Sequence, residues 1–227
     1  MTAARLRSAA SAVALAAVSL VCACVSPTVR RHPDLDALLR PVKKVGIMPV
    51  RADVSRSSFL GERESLAPDA DSARAAVVAA LQSELASRGF AVAIVPSGEA
   101  YFREHPDRRF LETDVETAAD AATVRAFRAT SSKDRAAFSG MPAALSELQP
   151  VAATVDADAL LFARFSEAIT TRGFLPTLHD TELEVSLVDA VTGEVLYAGR
   201  GAENQSTFSV DPAEFTSVAL KGLGRVE

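Results

Sequence analysis

Few residues in this chain have the type and spacing to do chemistry. The three histidines, His32, His105 and His179, stand in separate polar segments, and none lies at the spacing of a metal-ligand pair. They are expected on the surface. Ser139-Gly140 lacks the glycine two residues before a nucleophile elbow serine. Gly199 and Gly201 flank Arg200 at a strand end, without the helix that a dinucleotide-binding turn requires. Asp156 and Asp158 could pair as acid and base, but they flank the start of a strand, where carboxylates commonly cap turns. No catalytic residue, metal ligand or cofactor is expected from these patterns.

The cysteines are more specific. Cys22 and Cys24 are the only two, and both close an apolar run from Ala9 to Val21 that follows Arg5 and Arg7. A basic start, a short apolar core and small residues at a cut site describe a secretory signal peptide. The core is too short to span a membrane as a helix, which needs about 20 apolar residues. Val21-Cys22-Ala23-Cys24 resembles the bacterial lipobox. That resemblance implies cleavage before Cys24 and lipid on its sulfur, with an anchor of three acyl chains; one chain alone holds only marginally. The mature chain would then have a single cysteine and no internal disulfide. A free thiol is a liability in an oxidising compartment, and lipidation removes it. Ordinary secretion is the alternative. Val25 follows the cysteine, and in the lipoproteins this motif resembles an Asp there favours the inner membrane, so the resemblance implies the outer membrane, facing the periplasm.

The 227 residues carry 24 Lys and Arg against 29 Asp and Glu. Removing residues 1–23 takes away only Arg5 and Arg7, leaving 22 basic residues and a net charge of −7. An acidic body argues against nucleic acid as a partner. The apolar runs and eleven Phe are those of a folded chain.

The expected organisation is a signal peptide over 1–23, a lipidated Cys24 with a Pro- and Arg-rich tether over 24–41, and one domain over 42–227. Pro27, Pro33 and Pro41 suggest that the tether is extended or irregular. Val42 to Val50 reads as a strand buried on both faces. Arg51 to Asp69 reads as a long polar loop. Asp71 or Ser72 opens a helix to Arg88, with Gly89 at its C′ position. Phe90 to Val95 reads as a second strand. In an inserted segment over about 97–141, the capping box Thr113/Glu116 opens a helix to about Ala129, and Pro142 begins another toward Val155. Ala159 to Ala168 reads as a central strand burying Leu161, Phe162 and Phe165. Glu182 to Asp189 alternates, with Leu183, Val185 and Leu187 inward and Glu182, Glu184 and Ser186 outward. Glu194 to Gly201 returns as its hairpin partner. Asp211-Pro212 caps a last helix to about Leu223. The fold class is α/β (α+β), a mixed sheet of about five strands packed with helices in the order β-α-β-(α)-α-β-β-β-α.

The phrases Val45-Gly46-Ile47-Met48-Pro49-Val50, Ser87-Arg88-Gly89-Phe90, Asp156 to Leu161 and Leu187 to Leu196 resemble envelope lipoproteins built on the TolB N-terminal fold, such as curli-secretion and penicillin-binding-protein-activator lipoproteins. The resemblance implies a non-catalytic binding or assembly component, with an envelope protein or a second copy as partner and the membrane held through the N-terminal lipid. A hydrolase without a recognisable motif and a secretion-pore subunit are the alternatives. Two segments have the composition of binding surfaces. One is Tyr101 to Phe110, which mixes aromatics with arginines. The other is Arg51 to Asp69, with Arg51, Arg56, Phe59, Leu60 and Arg63, placed where open α/β sheets expose ligand sites.

Overall fold

The computed structural model describes residues 25–58, 61–104, 112–129, 131, 134–140, 142–172, 175–207 and 211–224. Residues 1–23, expected to be a signal peptide, Cys24, Phe59, Leu60 and His105 lie outside the described residues, as do the side chains of Tyr101, Phe102 and Thr113.

The sheet has eight strands where five were expected. In chain order they are β1 (Ser26–Arg31), β2 (Lys44–Ile47), β3 (Arg51–Ser58), β4 (Arg63–Ser65), β5 (Ala91–Ile94), β6 (Ala159–Arg172), β7 (Leu175–Asp189) and β8 (Val195–Ser206). The helices are α1 (Leu35–Leu39), α2 (Ala67–Ser87), α3 (Gly98–Glu104), α4 (Glu112–Arg128), α5 (Pro142–Thr154) and α6 (Pro212–Ala219), with a 3-10 turn over Arg135–Phe138. The sheet runs β1-β8-β7-β6-β2-β5, with β3 and β4 branching from β6.

The segment expected to be a tether is folded. β1 pairs antiparallel with β8, and α1 buries Leu35 and Leu39. Proline does not prevent this, because Pro27 stands on an edge strand, where a missing N–H is tolerated, and Pro33 and Pro41 flank the short helix. His32 is buried rather than on the surface. Its Nδ1 accepts from the Asp34 backbone N–H at 3.0 Å, and its ring meets Phe138 edge-on at 5.7 Å.

The segment expected to be a loop after β2 is also regular. β2 and β3 run one after the other along the same edge of β6, β2 against Ala159 to Leu161 and β3 against Arg164 to Thr171, both parallel. Polar side chains on β3 hide it from a hydrophobicity pattern, yet its backbone groups are paired by β6 as in any strand. Its chain turns at Gly61, whose φ of +84° suits glycine, and returns as β4. Helix α2 therefore starts at Ala67, earlier than Asp71, with Pro68 in its first turn. It ends at Ser87, with Gly89 (φ +91°) just past the Arg88 cap, and the Glu84–Arg88 pair forms as its spacing requires.

β2, α2 and β5 make a parallel crossover unit. β6, β7 and β8 make an antiparallel meander, whose β7–β8 turn is fixed by the Asp189 carboxylate accepting from the backbone N–H groups of Val191 and Thr192. Two apolar cores result, one on each face. On one face α2 and α6 cover Leu161, Phe165, Leu183, Val185 and Leu187. On the other, Val115, Ala119, Ala122 and Ala126 of α4 join Phe138, α5 and Leu160, Phe162 and Val195. The burial expected of Leu161, Phe162 and Phe165 is observed. Ser186, expected outward, is buried under this second helical layer.

Candidate functional site

Strand register gathers a row of charges. Arg51 on β3, Arg164 on β6, Glu184 on β7 and Arg200 on β8 are successive neighbours across four strands. Because the side-chain period of a strand is two, all four share one face, the face on which α4 packs. Arg51 donates to Asp120 of α4 and stands 3.8 Å from Glu116. Burial works against the Arg51 guanidinium, but the Asp120 hydrogen bond and charge, with Glu116 and Glu184, hold its pKa above the ordinary arginine value. At the other end Arg200 Nε donates to Glu184 at 3.0 Å and lies 3.5 Å from Glu182, while its guanidinium rests 4.8 Å from the centre of the Phe127 ring. Burial pushes the Glu182 carboxyl up; Arg200 opposes it, Glu184 adds to it and Arg164 opposes it.

A cleft of about 70 Å³ opens along this row, lined by Arg51, Asp120, Thr123, Phe162, Arg164 and Glu184. That volume suits a few water molecules. Two of the three arginines are committed to carboxylates, and Arg164 is exposed. The row can bridge helix to sheet and can present one guanidinium to an anion.

The sequence-derived partner set is not brought together here. Arg51 faces α4, whereas Arg56 is on the opposite side of the same strand and exposed. Arg63 on β4 is exposed, donates to Ser55 Oγ at 3.1 Å and lies 4.0 Å from Asp53. Phe59 and Leu60, between those strands in the chain, are outside the described residues. Glu116 stood only as the acid of a capping box, and Asp120, Glu184 and Arg200 carried no functional motif; the signal that finds them is strand register and the helix packed over it, which one sequence does not display.

The other candidates also find places. The Asp158 carboxylate accepts from the backbone N–H groups of Lys43 and Lys44 at 2.8 and 2.9 Å, a turn-capping role, and Asp156 holds a positive φ of 52°. Gly199 and Gly201 serve close packing: a Cβ on Gly199 would lie 1.9 Å from the Ala219 carbonyl oxygen. His179 is not a surface histidine; its Nδ1 is 2.7 Å from Glu167 Oε1, and both side chains are largely buried. Among the described residues no group of three or more His, Cys, Asp or Glu is arranged to hold a metal ion. No described helix is long and apolar enough to cross a membrane.

No protein-family model matches the chain. No curated protein matches it either. Among solved structures, the PelC dodecamer from Paraburkholderia phytofirmans is 15% identical over 90% of this chain and 99% of that one, with a TM-score of 0.42. Lipoprotein GNA1162 from Neisseria meningitidis is 15% identical over 79% and 96%, with a TM-score of 0.42. The hypothetical protein CT253 from Chlamydia trachomatis is 13% identical over 80% and 88%, with a TM-score of 0.31. Likeness at this level carries no conclusion about fold or function.

Proposed function

We propose that the chain is a bacterial envelope lipoprotein of the TolB N-terminal type, lipidated on Cys24 and acting in the outer membrane, facing the periplasm, as a non-catalytic binding or assembly component. The observation that carries this reading is Val21-Cys22-Ala23-Cys24. A cut before Cys24 leaves every described element whole, since the first strand starts at Ser26. Only Val25 separates an acylated Cys24 from β1, a span of roughly 7 Å at strand rise. In this reading the sheet edge stands at the bilayer surface, without a spacer. The β2-α2-β5 unit and the β6-β7-β8 meander support the fold type. The partner, an envelope protein or a second copy, is assigned to the hairpin of β3 and β4 through the exposed Arg56 and Arg63; Arg51 is withdrawn from that surface because Asp120 holds it.

Mass spectrometry of the mature N-terminus tests the anchor. A diacylglyceryl-modified Cys24 is expected, and an unmodified N-terminus at another residue overturns the reading. Density-gradient separation of membranes then tests the outer-membrane location. Replacing Arg56 and Arg63 by alanine tests the surface: envelope pull-downs should lose a partner at unchanged melting temperature, and an unchanged set of partners removes the hairpin from consideration.

A further inference from the structure

On the face opposite the charged row, a second cavity of about 420 Å³ opens between the first turns of α2 and α6 and the strands beneath them. That size lies within the range of about 300 to 1,000 Å³ usual for small-ligand pockets. Its walls are of two kinds. Val54, Phe165 and Ile169 from the sheet and Ala73 and Ala76 from α2 make an apolar floor. Asp69, Ser72, Glu167 and His179 supply the polar groups, and no lysine or arginine is among the described residues lining it.

Those polar groups offer acceptors. Glu167 is a carboxylate, so the 2.7 Å contact requires His179 to donate through Nδ1, and its imidazole, when neutral, keeps Nε2 as an acceptor. The Ser72 hydroxyl spends its proton on the Pro68 carbonyl at 3.0 Å, leaving its oxygen lone pairs. Asp69 adds a second carboxylate. Glu203 lies in register with Thr181, which is in register with Glu167, so all three share this face. Glu203 is 7% exposed, and its Oε2 has no hydrogen-bond partner among the described residues. The N-terminus of α2 opposes this sign with its own partial positive charge, but Asp69 in that first turn offsets it. Glu167 and His179 have side chains only 13% and 14% exposed. Charge at that depth is weakly screened, so a cation entering the cavity meets a strong complementary field.

We propose that this cavity binds a primary ammonium group carried on a short apolar body, with the ammonium on Glu167 and Asp69 and the apolar part on Phe165, Ile169 and Ala76. A small free amine and a lysine side chain of a partner share this chemistry. The site does not depend on the lipid anchor, so its fate is separate from that of the lipoprotein reading.

Calorimetric titration of the purified mature protein at pH 8 tests it with four probes: n-hexylamine, Nα-acetyl-lysine methylamide, 1-hexanol and hexanoate. Hexylamine should bind at least about tenfold tighter than hexanol, the margin of a hydrogen bond to a charged group, and hexanoate should not bind. Tighter binding of the lysine amide than of hexylamine would assign the ligand to a protein side chain, and the reverse to a free amine. Glu167→Gln should weaken the amine by about tenfold or more. Ala76→Leu, which leaves the charges intact and fills the floor, should abolish binding, with a melting temperature near that of the wild type. The proposal is overturned if neither amine binds, if hexanoate binds as well as hexylamine, or if both variants bind as the wild type does.

Discussion

The two faces of the β6-β7-β8 meander are built from the same strands yet solve different problems. Toward α2 and α6, Leu161, Ala163 and Phe165 face Leu183, Val185 and Leu187 in a buried apolar layer, and polar groups enter only one pleat beyond it, at Glu167, Thr181 and Glu203. Toward α4 the face changes character partway: Phe162 and Ser186 are buried, and one pleat further Arg164, Glu184 and Arg200 begin the charged row. A helix covers both parts, because α4 brings alanines to the first and Glu116 and Asp120 to the second. Polar residues at alternate strand positions therefore mark where a covering helix must carry matching charge, and they do not by themselves mark solvent.

The sharpest way to break the comparison is to empty each face in turn. Phe165 is 1% exposed and meets Phe215 edge-on at 6.5 Å; Phe162, on the other face, is 7% exposed. Each truncation to alanine should cost about 3 to 5 kcal/mol in urea denaturation, as for core aromatics generally, with Phe165→Ala the larger. A loss under about 1 kcal/mol at Phe162 would mean that the α4 layer does not pack on the sheet.

Backbone contact next tests how closely α6 is seated on the apolar face, where both Gly199 and Gly201 lie. With a Cβ placed 1.9 Å from the Ala219 carbonyl oxygen, Gly199→Ala forces α6 off β8, whereas at Gly201 the nearest atom is 3.1 Å away, on Phe215. Overpacking costs typically 1 to 3 kcal/mol; about 3 is expected at Gly199 and about 1 at Gly201. Equal melting temperatures for the two variants would contradict this seating of the helix.

These two glycines also show what was legible in the chain and what was not. Their spacing is visible, but their reason is helix α6, which arrives later in the chain. Elements whose own residues carry a period were readable: the stripe from Ala73 to Leu85, the alternation of Leu183, Val185 and Leu187, and the Asp211-Pro212 cap, whose carboxylate accepts from Ala213 N–H at 2.9 Å. Elements stabilised by a neighbour were not. β3 is polar and exists because β6 pairs it, and β1 looks like a proline-rich linker until β8 is beside it. The sites follow the same division. The Cys24 pattern is local, while the Arg51 row and the Glu167–His179 cavity come from register between segments more than a hundred residues apart or from opposite strands of a hairpin.

Tyr197 sharpens the comparison from the apolar side. Its hydroxyl donates to the Ala219 carbonyl at 2.6 Å and accepts from the Gly222 N–H at 3.2 Å. Tyr197→Phe should cost about 1 to 2 kcal/mol by leaving both partners unsatisfied. Burial pushes the Tyr197 pKa up to about 12, against about 10 in an unfolded chain. A raised pKa in the folded state stabilises fully below the unfolded value and is lost as pH rises from about 10 to about 12. The wild type should therefore lose its advantage over Tyr197→Phe across that window, and a constant difference from pH 8 to 12 would contradict the assignment.

The smallest effect is expected at the most conspicuous ion pair. Arg51 and Asp120 tie β3 to α4, but their side chains are 38% and 42% exposed, and pairs so open to water contribute only about 0.2 to 1 kcal/mol. A double-mutant cycle with Arg51→Ala and Asp120→Ala should return a coupling in that range, shrinking at 1 M salt, where screening acts over about 3 Å. The single variants should not be equal. Losing Asp120 leaves Arg51 with Glu116 and Glu184, whereas losing Arg51 takes from Asp120 the guanidinium that it holds. Arg51→Ala should therefore be the more damaging. A coupling above about 2 kcal/mol, insensitive to salt, would mean that the charged row binds helix to sheet as firmly as the apolar layer does, and the contrast between the two faces would fail.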